Sequence, residues 1–369
     1  MVEHMRYALV IIGDIESSTG GFLYDRVIAR SLASSGDEIE VISIPCRDGF
    51  EPAREDAASI VVERVRGTSP DLLIEDELAH RVLLGANEAL RRGGPPVVSI
   101  VHHLARSEAA VPGRPAGRDD VELLYLESVD GFVVNSEATL ASIRDLTGRS
   151  FPHVLARPGC DRLGAMTLHE VDERLGRRAG RLKILFAGQI VPRKRLHTLV
   201  EAIGLAGPDR FSLHVAGDRS TDPAYSAAVL ERAGRLGPGG SVTFHGAVSD
   251  RSLAGLMREC DLLAVPSRYE GYGIVYSEGM GFGLPALGSP NGGACEIIED
   301  GINGFLPDPD DPGGLASVLD RLASEDGMLE RMSVEAWKRS RSLPSWKDTC
   351  AEVSSFLDHM TTRSGPGPL

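Results

Sequence analysis

Pro266-Ser267-Arg268-Tyr269-Glu270-Gly271-Tyr272-Gly273-Ile274-Val275-Tyr276-Ser277-Glu278-Gly279-Met280 sets two carboxylates eight residues apart around a Gly-Tyr-Gly turn. The turn opens an apolar pattern at helical spacing. Gly271 and Gly273 let the backbone come close to a ligand, and the amides of Tyr272, Gly273, Ile274 and Val275 are free donors at a helix N-terminus, where a diphosphate is favoured. Glu278, about one turn into the helix, is placed to accept from ribose hydroxyls. Glu270, on the loop before it, can reach the hydroxyls of a sugar. Two Glu at this separation arise easily by chance and then describe only a solvated helix start beside a surface carboxylate. Pro-Ser before them, Gly-Tyr-Gly between them and the Gly-Gly-Ala-Cys-Glu-Ile-Ile-Glu-Asp-Gly-Ile-Asn-Gly run of 292–304 after them weigh against chance.

Outward from this stretch, short apolar strands alternate with helical periodicity, as parallel α/β sheets require. Strands are expected at 7–12, 38–44, 71–75, 97–101, 131–134 and 153–156, with helices at about 22–35, 53–66, 77–92, 120–128 and 137–146. A boundary follows Pro158-Gly159-Cys160-Asp161, and the charged segment 168–181 reads as a solvated linker. A second doubly wound unit then starts at Leu182, with strands at about 183–187, 211–216, 241–244, 261–265, 285–288 and 304–306. The expected domains are 1–165 and 182–343, with a last helix from Ser345 to Met360 and a disordered tail from Ser364. Two such units are expected to face a central cleft at the carboxyl ends of their strands.

At 369 residues and 42% apolar content, the chain can bury a large core in two domains. Cys46, Cys160, Cys260, Cys295 and Cys350 form no Cys-x-x-Cys pair and no His-Cys cluster of metal spacing. They read as buried thiols in a reducing compartment rather than a zinc site. The longest apolar runs are strand-length, and Met1 to Arg6 passes into a core strand without a cleavable signal, so a cytoplasmic protein is expected. A net charge of −14 argues against general nucleic-acid binding. The local basic stretch Arg174, Arg177, Arg178, Arg181 and Lys183 could touch anionic lipid, with a solvated linker the plainer reading.

The Glu270 to Glu278 run, the Gly292-Gly293 loop and the Asn303-Gly304 turn resemble the family-four retaining glycosyltransferases. The resemblance covers 182–324. It includes Phe186-Ala187-Gly188-Gln189-Ile190-Val191-Pro192-Arg193-Lys194, similar to the loop in which that family uses an Arg after the Gly, and a Lys five positions later, to hold the donor's diphosphate. Lys194 matches, Gln189 replaces the Arg, and Arg195 stands where the family has Gly, with Arg193 or Arg195 a candidate to compensate. A charge-assisted hydrogen bond is worth about 1.5–3 kcal/mol against about 1 for a neutral one, so the exchange at Gln189 matters. The resemblance implies the two-Rossmann GT-B architecture, with the final helix, 345–362, packing back on the first domain.

Gly20 and Gly21 lie between the first strand and the first helix, where backbone amides can face a phosphate. The resemblance implies a role beside the donor's diphosphate, against a purely structural turn. His102 and His103 end the fourth strand, where a near-neutral imidazole can orient or polarise an acceptor hydroxyl. The family's His after this strand corresponds by position to His102, against the plainer reading of a His capping a strand end. The acidic group Glu75-Asp76-Glu77 could meet a polyhydroxy or cationic acceptor, though an N-cap by Asp76 is the blander reading. In the family the backbone around Gly246 and Val248 binds the nucleotide base, while Asp218 reads as a helix cap. Asp308-Pro309-Asp310 is a weak metal pattern, so no metal and no cofactor beyond the donor are expected. Lys194 and the helix N-terminus would stabilise the leaving diphosphate instead.

Together these readings imply a retaining, metal-independent glycosyltransferase that moves a sugar from a nucleoside diphosphate to an acceptor hydroxyl or similar nucleophile. Glu270, His102 and Lys194 are its candidate catalytic residues. A nucleotide-sugar epimerase of the same architecture and a catalytically silent sugar-nucleotide-binding protein are the alternatives. The acceptor is not legible, and the segment from Ala105 to Asp120, rich in Pro, Gly and Arg, reads as a variable lid.

Overall fold

The computed structural model describes residues 4–47, 52–91, 93–109, 120–178, 180–237 and 241–363. The chain divides into two compact units, Met1–Pro158 with Trp346–Leu369, and Gly159–Ser345. The central part of the expected lid and the tail from Ser364 lie outside the described residues.

The first unit holds strands β1 (Arg6–Ile12), β2 (Glu38–Ile44), β3 (Leu72–Asp76), β4 (Val97–Val101), β5 (Gly131–Val134) and β6 (His153–Leu155). Its helices are α1 (Gly20–Ser34), α2 (Ala57–Thr68), α3 (His80–Leu90), α4 (Ala105–Ala109), α5 (Asp120–Leu126) and α6 (Glu137–Thr147). All pairings are parallel, in the order β2-β1-β3-β4-β5-β6. Six of the seven residues of β1 are buried, as a strand covered on both faces demands. The chain leaves β1 for one side of the sheet and β3 for the other, so a crevice opens beyond their carboxyl ends.

The second unit begins with α7 (Leu168–Gly176) and β7 (Leu182–Ala187), then α8 (Leu196–Ala206), β8 (Phe211–Ala216), α9 (Pro223–Gly234), β9 (Ser241–Gly246) and α10 (Asp250–Glu259). It continues through β10 (Leu262–Ala264), α11 (Ile274–Gly281), β11 (Ala286–Leu287), β12 (Gly304–Phe305), α12 (Pro312–Ser324) and α13 (Met328–Ser340). Its parallel sheet runs β12-β11-β10-β7-β8-β9, with the equivalent crevice between β7 and β10.

The last helix, α14 (Trp346–Arg363), belongs to the first unit. Buried Val353, Leu357 and Met360 recur at helical spacing, and Phe356 and Met360 crowd Gly131 at the start of β5. Each such side chain contributes about 1.5–3 kcal/mol by leaving water.

The segment 168–181 corrects the linker reading. Residues 168–176 form α7, opened by a capping box in which Thr167 and Glu170 satisfy each other's backbone amides. Val171 is fully buried, and buried Arg174 donates to the carbonyls of Phe282 (2.8 Å) and Gly283 (2.9 Å) at the end of α11. Arg174 is therefore a structural donor and not part of a lipid-facing surface. The cysteines need a second correction: all five are free, but Cys46 and Cys295 are exposed.

Candidate active site

In the second unit, the loops leaving β7 and β10 meet at the crevice. Lys194 Nζ lies 2.5 Å from Oε1 of Glu270, and Arg193 Nη1 lies 3.6 Å from the same oxygen while donating to the Tyr269 carbonyl (2.8 Å). Burial alone would raise the pKa of Glu270, but the Lys194 ammonium and the Arg193 guanidinium pull it down to about 2. The two cations thus hold Glu270 in its ionised form.

Gly273 caps α11 in the left-handed region, at φ 97°, and a Cβ there would strike the Tyr276 ring at 2.5 Å. The Gly-Gly pair fixes the loop from the other side. The amide of Gly293 donates to the Glu270 carbonyl (2.8 Å), and side chains at 292 or 293 would meet the carbonyls of Glu270 and Gly271 at 2.1 and 2.2 Å. Gly271, buried Tyr272 and Ile274 line the same turn, at the N-terminal end of α11.

Gln189 is half-buried in the loop after β7, next to Gly188, whose missing side chain leaves the space taken by the Lys194 stem (3.6 Å). Arg195 explains its own departure from the family pattern in part. It adopts φ 55°, the left-handed conformation that glycine prefers, and its guanidinium is paired with Asp310. Asp310 also binds Arg268 at 3.0 Å, so this carboxylate of the Asp308-x-Asp310 pattern is occupied by protein cations, while Asp308 accepts from the Asp310 amide.

Glu278 is buried, and Arg162 grips it, Nε to Oε1 at 2.7 Å and Nη2 to Oε2 at 3.1 Å. Burial raises its pKa and Arg162 opposes the rise. Gly246 ends β9 at φ 71° and accepts from the Gly217 amide (2.8 Å), with Val248 half-buried against the core beyond it. Asp218 is not the helix cap expected: it bonds Ser220, and Asp222 caps α9.

In the first unit, the loop after β4 places His102 in a buried acidic cluster. Its Nε2 is 3.0 Å from Asp25 Oδ1 on α1 and 4.0 Å from Asp76 Oδ1 at the end of β3. Glu77 accepts from the amides of His102 (3.0 Å) and His103 (3.3 Å). Burial opposes charge on the ring, but Asp25, Glu77 and Asp76 lift its pKa to about 10. These carboxylates therefore favour the charged ring over the near-neutral imidazole expected at this position. Asp76 also accepts from the Leu78 amide (3.1 Å), the capping role read as the plainer one, and buried Glu75 bonds Asn87 (3.1 Å). The acidic group thus faces the protein interior rather than an acceptor.

Gly20 is the first residue of α1, behind the Thr19 cap, and a Cβ on Gly21 would lie 3.1 Å from the His102 ring. Gly21 makes room for the ring. Among the described residues, Asp25, Asp76 and His102 also offer three possible metal-ligand atoms within 4.8 Å of one another. Their spacing in sequence hid this grouping, as it hid Arg162.

Residues 169–339 match the family model of group 1 glycosyl transferases. The chain is similar to a D-inositol 3-phosphate glycosyltransferase of Xylanimonas cellulosilytica, 29% identical over 289 residues, covering 74% of this chain and 69% of that protein. A second, from an Arthrobacter species, is 25% identical and aligns over 94% of this chain and 93% of its own length. Among solved structures, sucrose-phosphate synthase from Thermosynechococcus elongatus superposes with a TM-score of 0.82 at 20% identity, covering 98% of this chain and all of that one. HepE from Anabaena, solved with UDP-glucose, gives 0.77 at 19% identity over 96% of this chain and all of that one. The two six-stranded parallel sheets define the GT-B architecture. The family match over 169–339 and the curated relatives support a glycosyltransferase of group 1. No described helix is long and apolar enough to cross a membrane.

Proposed function

We propose that this chain is a glycosyltransferase that takes its sugar from a nucleoside diphosphate and delivers it, with retention and without a metal ion, to an acceptor hydroxyl or similar nucleophile. The observation that carries this is the Lys194–Glu270–Arg193 cluster at the β7/β10 crevice, next to the N-terminus of α11. Two cations beside the N-terminal end of α11 suit a leaving diphosphate, and a carboxylate held in its ionised form suits the hydroxyls of the transferred sugar. Bound UDP-glucose in the HepE structure is consistent with such a donor.

Glu270 then orients the sugar, Lys194 and Arg193 neutralise the diphosphate as it departs, and an oxygen of that diphosphate takes the acceptor's proton. In the first unit, the raised pKa of His102 suits it to act as a charged hydrogen-bond donor to an acceptor hydroxyl rather than as a base. Gln189 adds a neutral hydrogen bond where the family has a charge, which makes Lys194 and Arg193 the principal cations.

The test is a panel of nucleotide sugars with purified protein, reading nucleoside diphosphate release with and without acceptors. D-inositol 3-phosphate, the compound named for the curated relatives, belongs among them. Release with at least one donor supports the proposal. Binding of donors with no hydrolysis and no transfer to any acceptor supports the silent binding protein instead.

A further inference from the structure

Arg162 sits in the loop between the last strand of the first sheet and α7, and this loop runs along the end of α11: the Met166 amide donates to the Gly281 carbonyl at 3.0 Å. From there its guanidinium reaches Glu278, 116 residues away in sequence, through two parallel hydrogen bonds of 2.7 and 3.1 Å. The third arm, Nη1, is held by Asp250 at the first position of α10. Glu278 is 2% exposed and Asp250 68% exposed, so Arg162 connects a buried carboxylate to one in water. Both partners belong to the same compact unit as Arg162.

A carboxylate so deeply placed would take up a proton if left alone, and a carboxylic acid offers one donor where the anion offers acceptors on both oxygens. The fork of Arg162 uses one acceptor position on each oxygen, which leaves a second on each. Two acceptors at carboxylate spacing match a cis-vicinal diol, the pattern that a ribose presents and a 2′-deoxyribose lacks.

We propose that Arg162 is a positioning residue of the donor site: by its two-pronged grip it keeps Glu278 an oriented carboxylate, and so sets a preference for ribonucleoside over 2′-deoxyribonucleoside diphosphates. Asp250 is the outer anchor of the same device. This inference rests on the donor assignment made above.

The experiment measures, by calorimetry on the full-length protein, the dissociation constants of UDP, GDP and ADP, then of the 2′-deoxy form of whichever binds tightest. The wild type should favour the ribo form by about tenfold or more, the scale of a lost charge-assisted hydrogen bond. Arg162→Met should bring the two forms within about threefold, and Arg162→Lys should retain part of the difference. Asp250→Asn, an exposed change, should reduce the preference without altering the thermal midpoint, which keeps the test alive if Arg162→Met does not fold. Wild-type discrimination retained in Arg162→Met, or in Arg162→Lys and Asp250→Asn together, would show a purely structural ion pair and overturn the inference. Tighter binding of both forms by Arg162→Met would mean that Arg162 competes with the ribose, and would overturn it too. Equal wild-type affinities for the two forms would overturn it while leaving the donor assignment standing, whereas no binding of any of the three diphosphates would remove both.

Discussion

Lys194 and Glu270, 76 residues apart in sequence, share a hydrogen bond of 2.5 Å, so the cation suited to a leaving diphosphate and the carboxylate suited to a sugar neutralise each other. On the proposed function, a donor enters a pre-paired site and divides the pair between its two halves. Glu270→Gln should free the Lys194 ammonium. Diphosphate affinity should hold or rise, while turnover falls by about 10²-fold or more as sugar positioning is lost. Steady-state kinetics with UDP titration check both, and turnover near the wild-type rate would remove Glu270 from the sugar site.

Lys194→Ala should weaken diphosphate binding more than Gln189→Ala, because a charged contact outweighs a neutral one. It should also cost about 2–3 kcal/mol of stability. That is less than the roughly 3–5 kcal/mol of a fully orphaned buried charge, because Arg193 stays 3.6 Å from Glu270. Gln189→Arg, which restores the family's residue, should maintain or strengthen binding. Denaturant midpoints and titrations of the three variants read out all these effects. Equal binding losses in the two alanine variants would show that Gln189 carries more of the contact.

Gly293→Ala should disturb the Glu270 loop through space alone, since the added carbon would sit 2.2 Å from the Gly271 carbonyl oxygen. The expected cost is about 1–3 kcal/mol, together with weakened donor binding. Gly301→Ala is the control: its φ is 76° but nothing lies within 4 Å. It should lose only about 1 kcal/mol of backbone strain energy and leave donor binding untouched.

His102 makes stability depend on pH in a stated direction. Its folded pKa, about 10, lies above the ordinary value of 6.5, so its contribution is complete below about pH 6.5 and is lost as pH rises towards 10. Urea midpoints at pH 6.5 and pH 9.5 should therefore fall more steeply for the wild type than for His102→Gln. Identical slopes would mean that the ring is neutral in the folded protein.

The parallel architecture was legible because β1, β7 and their neighbours are unbroken apolar runs separated by helical patterns. The Glu270 loop was legible because its glycines sit where turn geometry demands them. Residues whose partners are remote in sequence were not. Asp25 is 77 positions from His102, and no local pattern announces that an acidic cluster will charge the ring. Low apolar content also hid α7, although Thr167 and Glu170 spell its capping box; its buried face is completed by Arg174, a charged residue that an apolar pattern cannot count.

Activity should survive excess EDTA, because Lys194, Arg193 and the α11 amides supply the positive charge that a metal would bring. The Asp25–Asp76–His102 grouping makes this a sharp test: loss of turnover restored by a divalent ion would point to those ligands. The product should keep the donor's anomeric configuration, read from the coupling constant of its anomeric proton, and an inverted linkage would overturn the retaining assignment.

Because α14 returns to the first unit after the whole of Gly159–Ser345, that unit is written in two pieces around the other. A ribosome that has finished β6 has made every strand of the first sheet but not the helix that covers Gly131, and must translate the entire second unit before supplying it. The second unit, uninterrupted in the gene, can mature first. Expressed alone, 159–345 should give a folded fragment, whereas 1–158 should carry an apolar scar where Val353, Leu357 and Met360 belong.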